Sequence, residues 1–222
     1  MEQNILRLLL FYPVFLFSLS FHEAAHGFVA NRFGDPTARL LGRVTLNPLP
    51  HLDLIGTVFL PIFGLLTGAP IIGWGKPVPV NPLNFDDSRR GTLWVSAFGP
   101  LSNIFLALCF AGLAWGLYLG LPHFGAVATA VSLGTTIIST IYRMIGTGVV
   151  LNLVLAVFNM IPIPPLDGSG VLQGLLPYRA LNRYEALFGR YGMFIILILF
   201  VTGALRLVLY PVMALASFLL PV

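Results

Sequence analysis

The chain has 222 residues, of which 57% are hydrophobic and only 9% are charged. Soluble domains carry about 25% charged residues, so this composition excludes an ordinary soluble protein and predicts one polytopic membrane domain over residues 1–222. The net charge of +4 comes from basic residues dispersed over short loops, which favours a membrane topology signal over nucleic-acid binding. We therefore expect a lipid bilayer as partner and no nucleic acid.

The first predicted element is an apolar helix over residues 5–32 that carries His-Glu-Ala-Ala-His at positions 22–26. His22 and His26 share one helix face, so both rings can converge on one metal ion. Glu23 lies about 100° round the helix, where its carboxylate can reach a metal-bound water. Because a charge at the centre of a membrane helix costs ~2.5–3.5 kcal/mol, metal binding would offset an otherwise unfavourable placement. The pattern predicts a zinc hydrolase site within the membrane.

The segments after this helix complete the predicted fold. Residues 39–46 partly alternate and end at an Asn-Pro pair, which predicts a short β segment. Proline and glycine interrupt the apolar run 54–72, which is interpreted as a re-entrant hairpin. Longer apolar spans follow at 92–120, 124–160 and 191–210. The predicted fold class is an all-α polytopic membrane protein with about four transmembrane helices, that hairpin and the short cytoplasmic β segment.

The distribution of basic residues predicts the topology. The segments 31–53, 73–91 and 163–190 hold nine of the twelve basic residues, so all three are expected on the cytoplasmic side. The same count puts the N-terminus, the turn at 120–125 and the C-terminus outside. The two histidines end up towards the cytoplasmic side, where water can reach a metal more easily than at the bilayer centre.

A zinc site with two histidines needs a third protein ligand, which leaves one position for water. The chain offers several candidates: Asp35, His51, Asp53, Asp86, Asp87, His123, Asp167 and Glu185. We favour Asp167, because it follows a rigid Pro-Ile-Pro-Pro-Leu segment directly after an apolar span and precedes Gly168. An ordinary helix-stop turn with a capping aspartate is the competing interpretation of the same segment.

Several segments together resemble the site-2 protease family of intramembrane zinc metalloproteases. The resemblance rests on HEAAH at 22–26, HLDLIGT at 51–57, GWGKPVPV at 73–80, GPLSN at 99–103 and NMIPIPPLDG at 159–168. It implies that His22, His26 and Asp167 bind one Zn²⁺ per chain, that Glu23 is the general base, and that Asn159 helps hold the substrate or transition state. It implies a catalytic core over about 5–170, with the C-terminal span over about 191–219.

The resemblance also implies an activity and a location. The chain is expected to cleave peptide bonds within or next to transmembrane helices of other membrane proteins, after a zinc-activated water attacks the scissile carbonyl. Since the chain has no room for the PDZ domain of many family members, it resembles the compact bacterial or archaeal type, a multi-pass protein of the cell membrane. The oligomeric state stays open.

Substrate binding and two alternative functions also follow from the sequence. An unwound substrate segment could add to a strand edge, for which the hypothesis names residues 39–46 or 54–72. A membrane zinc or proton transporter would also carry histidine and acidic residues in apolar helices, but its ligands would line a path through several spans. A catalytically inactive membrane scaffold would keep the fold without cleaving anything.

Overall fold

Helices form most of the part of the chain that the computed structural model describes, which comprises residues 2–67, 73–128 and 132–221. Two π-helical turns, Leu54–Phe59 and Glu185–Gly189, lead into α3 and α8. The helices are α1 (Glu2–Arg32), α2 (Thr37–Leu40), α3 (Leu60–Thr67), α4 (Ser88–Ala128), α5 (Ser132–Asn159), α6 (Asp167–Leu175), α7 (Tyr178–Tyr184), α8 (Arg190–Val201) and α9 (Leu205–Leu219).

Four helical stretches in the described part of the chain are long and apolar enough to cross a membrane: Leu8–Arg32, Ser88–Gly120, Ile137–Asn159 and Tyr178–Val201. This confirms the all-helical, multi-pass class and the number of predicted spans. The helices α1, α4 and α5 pack against one another, and α9 packs on α5. Small residues allow close packing between α4, α5 and α9, where the core consists of Ala107, Ala111, Val149, Leu153, Val212 and Ala216.

One end of the bundle, called the loop end below, gathers the segments 33–53, 73–87 and 160–177. The amide of Asp86 donates to the carbonyl of Phe33 at 3.1 Å, which joins the exit of α1 to the entrance of α4. The guanidinium of Arg89 donates at 2.6–2.8 Å to the last carbonyls of α6, those of residues 174–176. The loop end therefore gathers six basic residues, Arg32, Arg39, Arg43, Lys76, Arg89 and Arg90, whereas Arg179, Arg183 and Arg190 lie on α7 and α8.

Asp35 ties this end together. Its buried carboxylate accepts hydrogen bonds from Thr37, from the amide of Asn81 at 2.7 Å and from the side chain of Asn84 at 2.8 Å. Burial alone would raise the pKa of Asp35, but these donors hold the pKa below its usual value. Asp35 is therefore an ionised structural residue, and it does not join the predicted metal site.

The predicted β segment at 39–46 is wrong. The described residues contain no strand, and this stretch instead forms α2 and a turn at Gly42, whose φ is +66°. Ala38 and Val44 pack on α1, where a Cβ at Gly27 would lie 3.0 Å from each of them. Leu40, Leu41 and Leu46 are exposed instead, so the apolar residues of this stretch do not share one buried face.

The predicted re-entrant hairpin at 54–72 is not supported either. Asp53 caps a helical segment that runs from Leu54 to Thr67, with Pro61 inside it. Residues 68–72 lie outside the described residues. The hydroxyl of Thr57 donates to the carbonyl of Trp74 at 3.0 Å, so the start of this helical segment is fixed to the chain that follows it.

The last part of the chain also differs from the prediction. The segment expected as a basic loop, 163–190, contains α6 and α7, and the apolar span begins at Tyr178 and ends at Val201. The break comes at Gly203, whose φ is +74°, and Pro211 lies inside α9. Glycine allows the left-handed turn that ends α8, whereas neighbouring groups in membrane proteins commonly accommodate a proline within a helix.

Candidate metal centre

Two histidines on α1 form the base of the candidate metal centre. His22 and His26 are one helical turn apart, and both are buried. Their Nε2 atoms lie 3.0 Å from each other. The turn between them contains only Glu23 and two alanines, so no bulky side chain separates the rings.

Asp167 meets both histidines from the first turn of α6. Its Oδ2 lies 3.1 Å from Nε2 of His22, and its Oδ1 lies 3.3 Å from Nε2 of His26. Among the described residues these three form the one group of histidine, cysteine or acidic side chains close enough to share a metal ion. The structure therefore brings together the three residues that the sequence singled out, although α1 and α6 are far apart along the chain.

A proline-rich segment and Gly168 determine where Asp167 lies. Gly168 does not adopt a positive φ, so backbone freedom is not what requires glycine at this position. Glycine is needed there for a different reason, since a Cβ would lie 2.2 Å from the carbonyl oxygen of Met160. The first turn of α6 therefore packs directly on the end of α5, which fixes the direction of the Asp167 side chain.

Hydrogen bonds fix the orientation of both imidazole rings. Nδ1 of His22 lies 2.6 Å from Oδ1 of Asn103, and Nδ1 of His26 lies 2.7 Å from the carbonyl oxygen of Val95. Both partners are acceptors, so each neutral ring carries its proton on Nδ1 and presents a bare Nε2. In metal-binding histidines, the ring nitrogen that does not bind the metal usually donates a hydrogen bond of this kind.

The donor set fits a zinc ion. Two bare Nε2 atoms facing each other at 3.0 Å repel unless a cation lies between them. Zinc with ligand bonds of 2.0–2.1 Å in tetrahedral geometry separates its ligand atoms by about 3.3 Å, close to the distances within this cluster. Oδ2 of Asp167 is buried without a hydrogen-bond partner in the described residues, as expected for an oxygen that binds a metal.

The carboxylate of Asp167 is held ionised by the same neighbours. Burial alone would raise the pKa of Asp167, but protonated His22 and His26 beside it would lower the pKa well below its usual range, and a zinc ion in place of their protons would act in the same direction. Metal binding needs a deprotonated carboxylate, and this environment supplies one.

Gly99 on α4 forms one wall of the centre. A Cβ at this position would lie 2.4 Å from Cε1 and Nε2 of His26 and 2.7 Å from Cε1 of His22. No side chain larger than hydrogen fits there while the rings keep their positions. The GPLSN segment of the sequence therefore contributes a glycine that gives the rings room and, at Asn103, a partner for His22.

Glu23 lies beside the cluster and is buried. Its Oε2 accepts a hydrogen bond of 2.7 Å from the amide of Val78, in the extended segment that follows α3. Arg43 holds that segment in place by donating to the carbonyl oxygens of Lys76 at 2.7 Å and Pro77 at 3.2 Å. One carboxylate oxygen of Glu23 is therefore held in place by the backbone amide of Val78.

Asn159 lies at the last residue of α5. Its Nδ2 donates to the carbonyl of Leu155 at 3.0 Å, one turn earlier on the same helix. No described hydrogen bond connects Asn159 with the histidines, Glu23 or Asp167. The Nδ2 group carries two hydrogens, so one is still able to meet a substrate oxygen.

Sequence reasoning missed the partners of the two imidazoles and of Glu23. Asn103 belongs to the GPLSN segment on which the family resemblance rests, but nothing in that pattern assigns it to His22. The partners Val95 and Val78 act through backbone groups, which no side-chain pattern reveals. An asparagine within an apolar span close to a glycine is the one signal that pointed to this wall of the site.

Comparisons with known proteins agree with this geometry. The model of Peptidase family M50 matches residues 10–200. The chain is 36% identical over 200 residues to YwhC of Bacillus subtilis, covering 88% of this chain and 82% of that protein. It is 28% identical over 195 residues to Rip2 of Mycolicibacterium smegmatis, covering 86% and 66% of the two chains. It is 31% identical over 163 residues to Rip2 of Mycobacterium tuberculosis, covering 71% and 54%.

These relatives are named as zinc metalloproteases. No solved structure matches the chain significantly. The described residues, which include no strand, show no PDZ domain. The family match over most of the chain, together with the apolar helices, leads to one conclusion: this chain belongs to peptidase family M50, the site-2 protease family, and is a membrane zinc metalloprotease.

Proposed function

We propose that this chain is an intramembrane endopeptidase that cleaves peptide bonds within or next to transmembrane helices of other membrane proteins. One observation carries the proposal: His22, His26 and Asp167 converge beside Glu23 inside a bundle of membrane-spanning helices. In this proposal His22, His26 and Asp167 hold one zinc ion per chain, and residues 1–222 form a single catalytic domain.

Glu23 acts as the general base. When bound, zinc supplies a Lewis acid that lowers the pKa of a water molecule to ~7 and polarises the scissile carbonyl. The Val78 amide holds one oxygen of Glu23, and the other oxygen accepts the proton of the attacking water. Glu23 then returns this proton to the leaving amine. The second hydrogen of Asn159 Nδ2 stabilises the negative charge that develops on the substrate oxygen.

A groove beside the centre gives a substrate a route from the lipid. It has a volume of 590 Å³ and is lined by Phe21, Ala24, Ala25 and Phe28 of α1, Val44, Thr45 and Leu46 of the following loop, and Phe98, Leu101, Ser102 and Phe105 of α4. The groove runs along the same stretches of α1 and α4 as the metal centre, although His22, Glu23, His26 and Asp167 do not line it, so a bound peptide would have to extend beyond the groove to reach the metal. Its apolar walls suit an apolar transmembrane segment.

The position of the site along the bundle supports access of water. His26 is six residues before the end of α1, about 9 Å along the helix axis, and Asp167 lies beyond the end of α5. The centre is therefore close to the loop end, where the basic residues gather. From this concentration of basic residues we assign the loop end to the cytoplasmic side of a cell membrane.

The experiment that tests this function uses purified protein reconstituted with single-pass membrane proteins as candidate substrates. Glu23→Gln should keep its zinc but lose cleavage by about 10²- to 10⁴-fold, since only proton transfer is removed. Glu185→Gln changes an exposed carboxylate outside the centre and should cleave normally. Cleavage that survives in Glu23→Gln would contradict the mechanism. Zinc transport across the membrane without peptide cleavage would favour a transporter, and neither activity would favour a scaffold.

A further inference from the structure

Three buried polar side chains connect α1, α4 and α5 behind the metal centre. Ser18, Asn103 and Asn152 are each 0% exposed, in the middle of membrane-spanning helices. Asn103 Nδ2 donates to Oδ1 of Asn152 at 2.8 Å, and Asn152 Nδ2 donates to Oγ of Ser18 and to the carbonyl of Gly148, both at 2.8 Å. This chain of hydrogen bonds, which we call the amide relay, ends at Nδ1 of His22.

The directions of the hydrogen bonds in the amide relay follow from backbone carbonyls, chiefly that of Gly148; the carbonyl of Ser18 also accepts from Asn103 Nδ2, at a longer distance of 3.5 Å. The carbonyl oxygen of Gly148 can only accept, so the Asn152 atom beside it must be the donor Nδ2. Oδ1 of Asn152 then faces Asn103 and requires the donor Nδ2 of Asn103 on that side. Oδ1 of Asn103 is left for His22, and it accepts only if His22 carries a proton on Nδ1.

We propose that Asn152 is a positioning residue that sets the tautomer of His22 through Asn103, so that Nε2 of His22 is always presented to the metal. This inference rests on the proposed zinc site. Asn152 does not belong to the ligand set, and its effect passes through two hydrogen bonds. A reversed Asn103 amide would place two oxygens against each other at Asn152 and would offer an N–H to His22. Both contacts would be repulsive in the metal-binding tautomer.

The amide relay does more than join helices. Interhelical hydrogen bonds in membranes contribute only modestly to stability, so stability alone gives little reason for two fully buried asparagines. His26 obtains the same orientation from a single backbone carbonyl, that of Val95, because that carbonyl lies within reach. No described backbone carbonyl accepts a hydrogen bond from Nδ1 of His22. The amide relay provides a side-chain acceptor instead: Oδ1 of Asn103 on α4, oriented by Asn152 on α5.

Two substitutions separate positioning from a structural contribution. Asn152→Leu removes the 2.8 Å acceptor for Asn103 and leaves its amide only the 3.5 Å contact with the carbonyl of Ser18, so the amide is held less firmly, while leucine keeps a similar volume in an apolar environment. Ser18→Ala removes another buried hydrogen bond of Asn152 but leaves the path from Gly148 to His22 intact. Asn152→Leu should weaken zinc binding by roughly 10- to 100-fold, the range for outer partners of metal ligands. Ser18→Ala should stay within about threefold of the wild type, a margin below the range for such partners.

The zinc dissociation constant is measured by competition with a chelator, and nitrogen-15 NMR of histidine-labelled, zinc-loaded protein reports the tautomers. The wild type should show His22 with a protonated Nδ1 and zinc on Nε2. In Asn152→Leu the Nδ1 signal of His22 should shift, whereas that of His26 should not. The His26 signal provides an internal control, because its partner Val95 lies outside the relay.

Several results would overturn the inference. Unchanged zinc affinity and an unchanged His22 spectrum in Asn152→Leu would do so, as would equal weakening by Ser18→Ala. If Asn152→Leu does not fold, the wild-type spectrum alone still decides: zinc on Nδ1 of His22 contradicts the relay. A wild type that binds no zinc refutes the proposed function, whereas zinc binding that ignores Asn152 refutes the relay alone.

Discussion

Replacing Gly99 by alanine should destroy the metal centre while leaving the helix intact. The added Cβ would lie 2.4 Å from Cε1 and Nε2 of His26, whereas ordinary contact begins at 3.4 Å. The His26 ring would have to move by about 1 Å, but metal–ligand distances tolerate only about 0.2 Å. The ring cannot move freely, since its Nδ1 is bound to the carbonyl of Val95 at 2.7 Å.

The expected loss of zinc affinity is at least about 100-fold, the upper end of the range for changes in outer partners of metal ligands, because here a ligand itself is displaced. Gly112→Ala is the matched control on α4: a Cβ there meets nothing within 4 Å. Alanine favours a helix over glycine by up to ~1 kcal/mol, so this control should be as stable as the wild type or more so. Peptide cleavage should follow zinc binding: Gly99→Ala should lose cleavage, and Gly112→Ala should keep it.

The assay is zinc competition with a chelator in detergent-purified protein, accompanied by thermal unfolding of the zinc-free forms. We expect Gly99→Ala to unfold near the wild-type temperature and to bind zinc poorly. Wild-type zinc affinity in a folded Gly99→Ala protein would refute the close approach of α4 to the two histidines. Equal loss of zinc in Gly112→Ala would show that alanine anywhere in α4 is harmful, which would also refute the reasoning.

Two further predictions concern the loop end. Asp35→Asn should destabilise the fold by ~2–4 kcal/mol at neutral pH. The carboxylate accepts hydrogen bonds from Asn81 and Asn84 on two oxygens, whereas an asparagine side chain has only one acceptor oxygen. Since the folded-state pKa of Asp35 is lowered, its stabilisation is present above the unfolded pKa of ~3.9 and is lost as the pH falls through the folded value. The difference in thermal stability between wild type and Asp35→Asn should therefore shrink below about pH 4, and a difference independent of pH would contradict this assignment. Arg89→Ala should bind zinc roughly fivefold more weakly, corresponding to about 1 kcal/mol, because Arg89 holds the end of the helix that carries Asp167. Arg90→Ala, which breaks only an exposed ion pair, should bind zinc normally, and equal affinity in all three proteins would exclude a role for Arg89.

The candidate ligands could be predicted because their pattern is local. Histidines four residues apart on an apolar helix must share a face, and a rigid proline-rich segment before Asp167 restricts its direction. The partner of His22, by contrast, is 81 residues away at Asn103. Its position depends on how α1 packs against α4, and helix packing is not encoded in the spacing of any one segment.

The errors in the predicted fold have the same origin. The partial alternation over 39–46 has the period of a strand, but of these residues Val44 packs against α1 at Gly27 while Leu40, Leu41 and Leu46 are exposed. The last apolar span is predicted over 191–210, whereas it ends at Val201 and the break occurs at Gly203, where a left-handed turn ends the helix. In both places tertiary contacts or backbone conformation decided between structures that local composition allows equally well.

The most direct test of the zinc site is the number of zinc ions per chain in detergent-purified wild type, with His26→Ala and Asp167→Ala measured alongside. We expect about one zinc in the wild type and almost none in either variant, because the site needs ligands from both α1 and α6. A folded wild type without zinc, or an Asp167→Ala protein that retains it, would contradict the three-ligand centre.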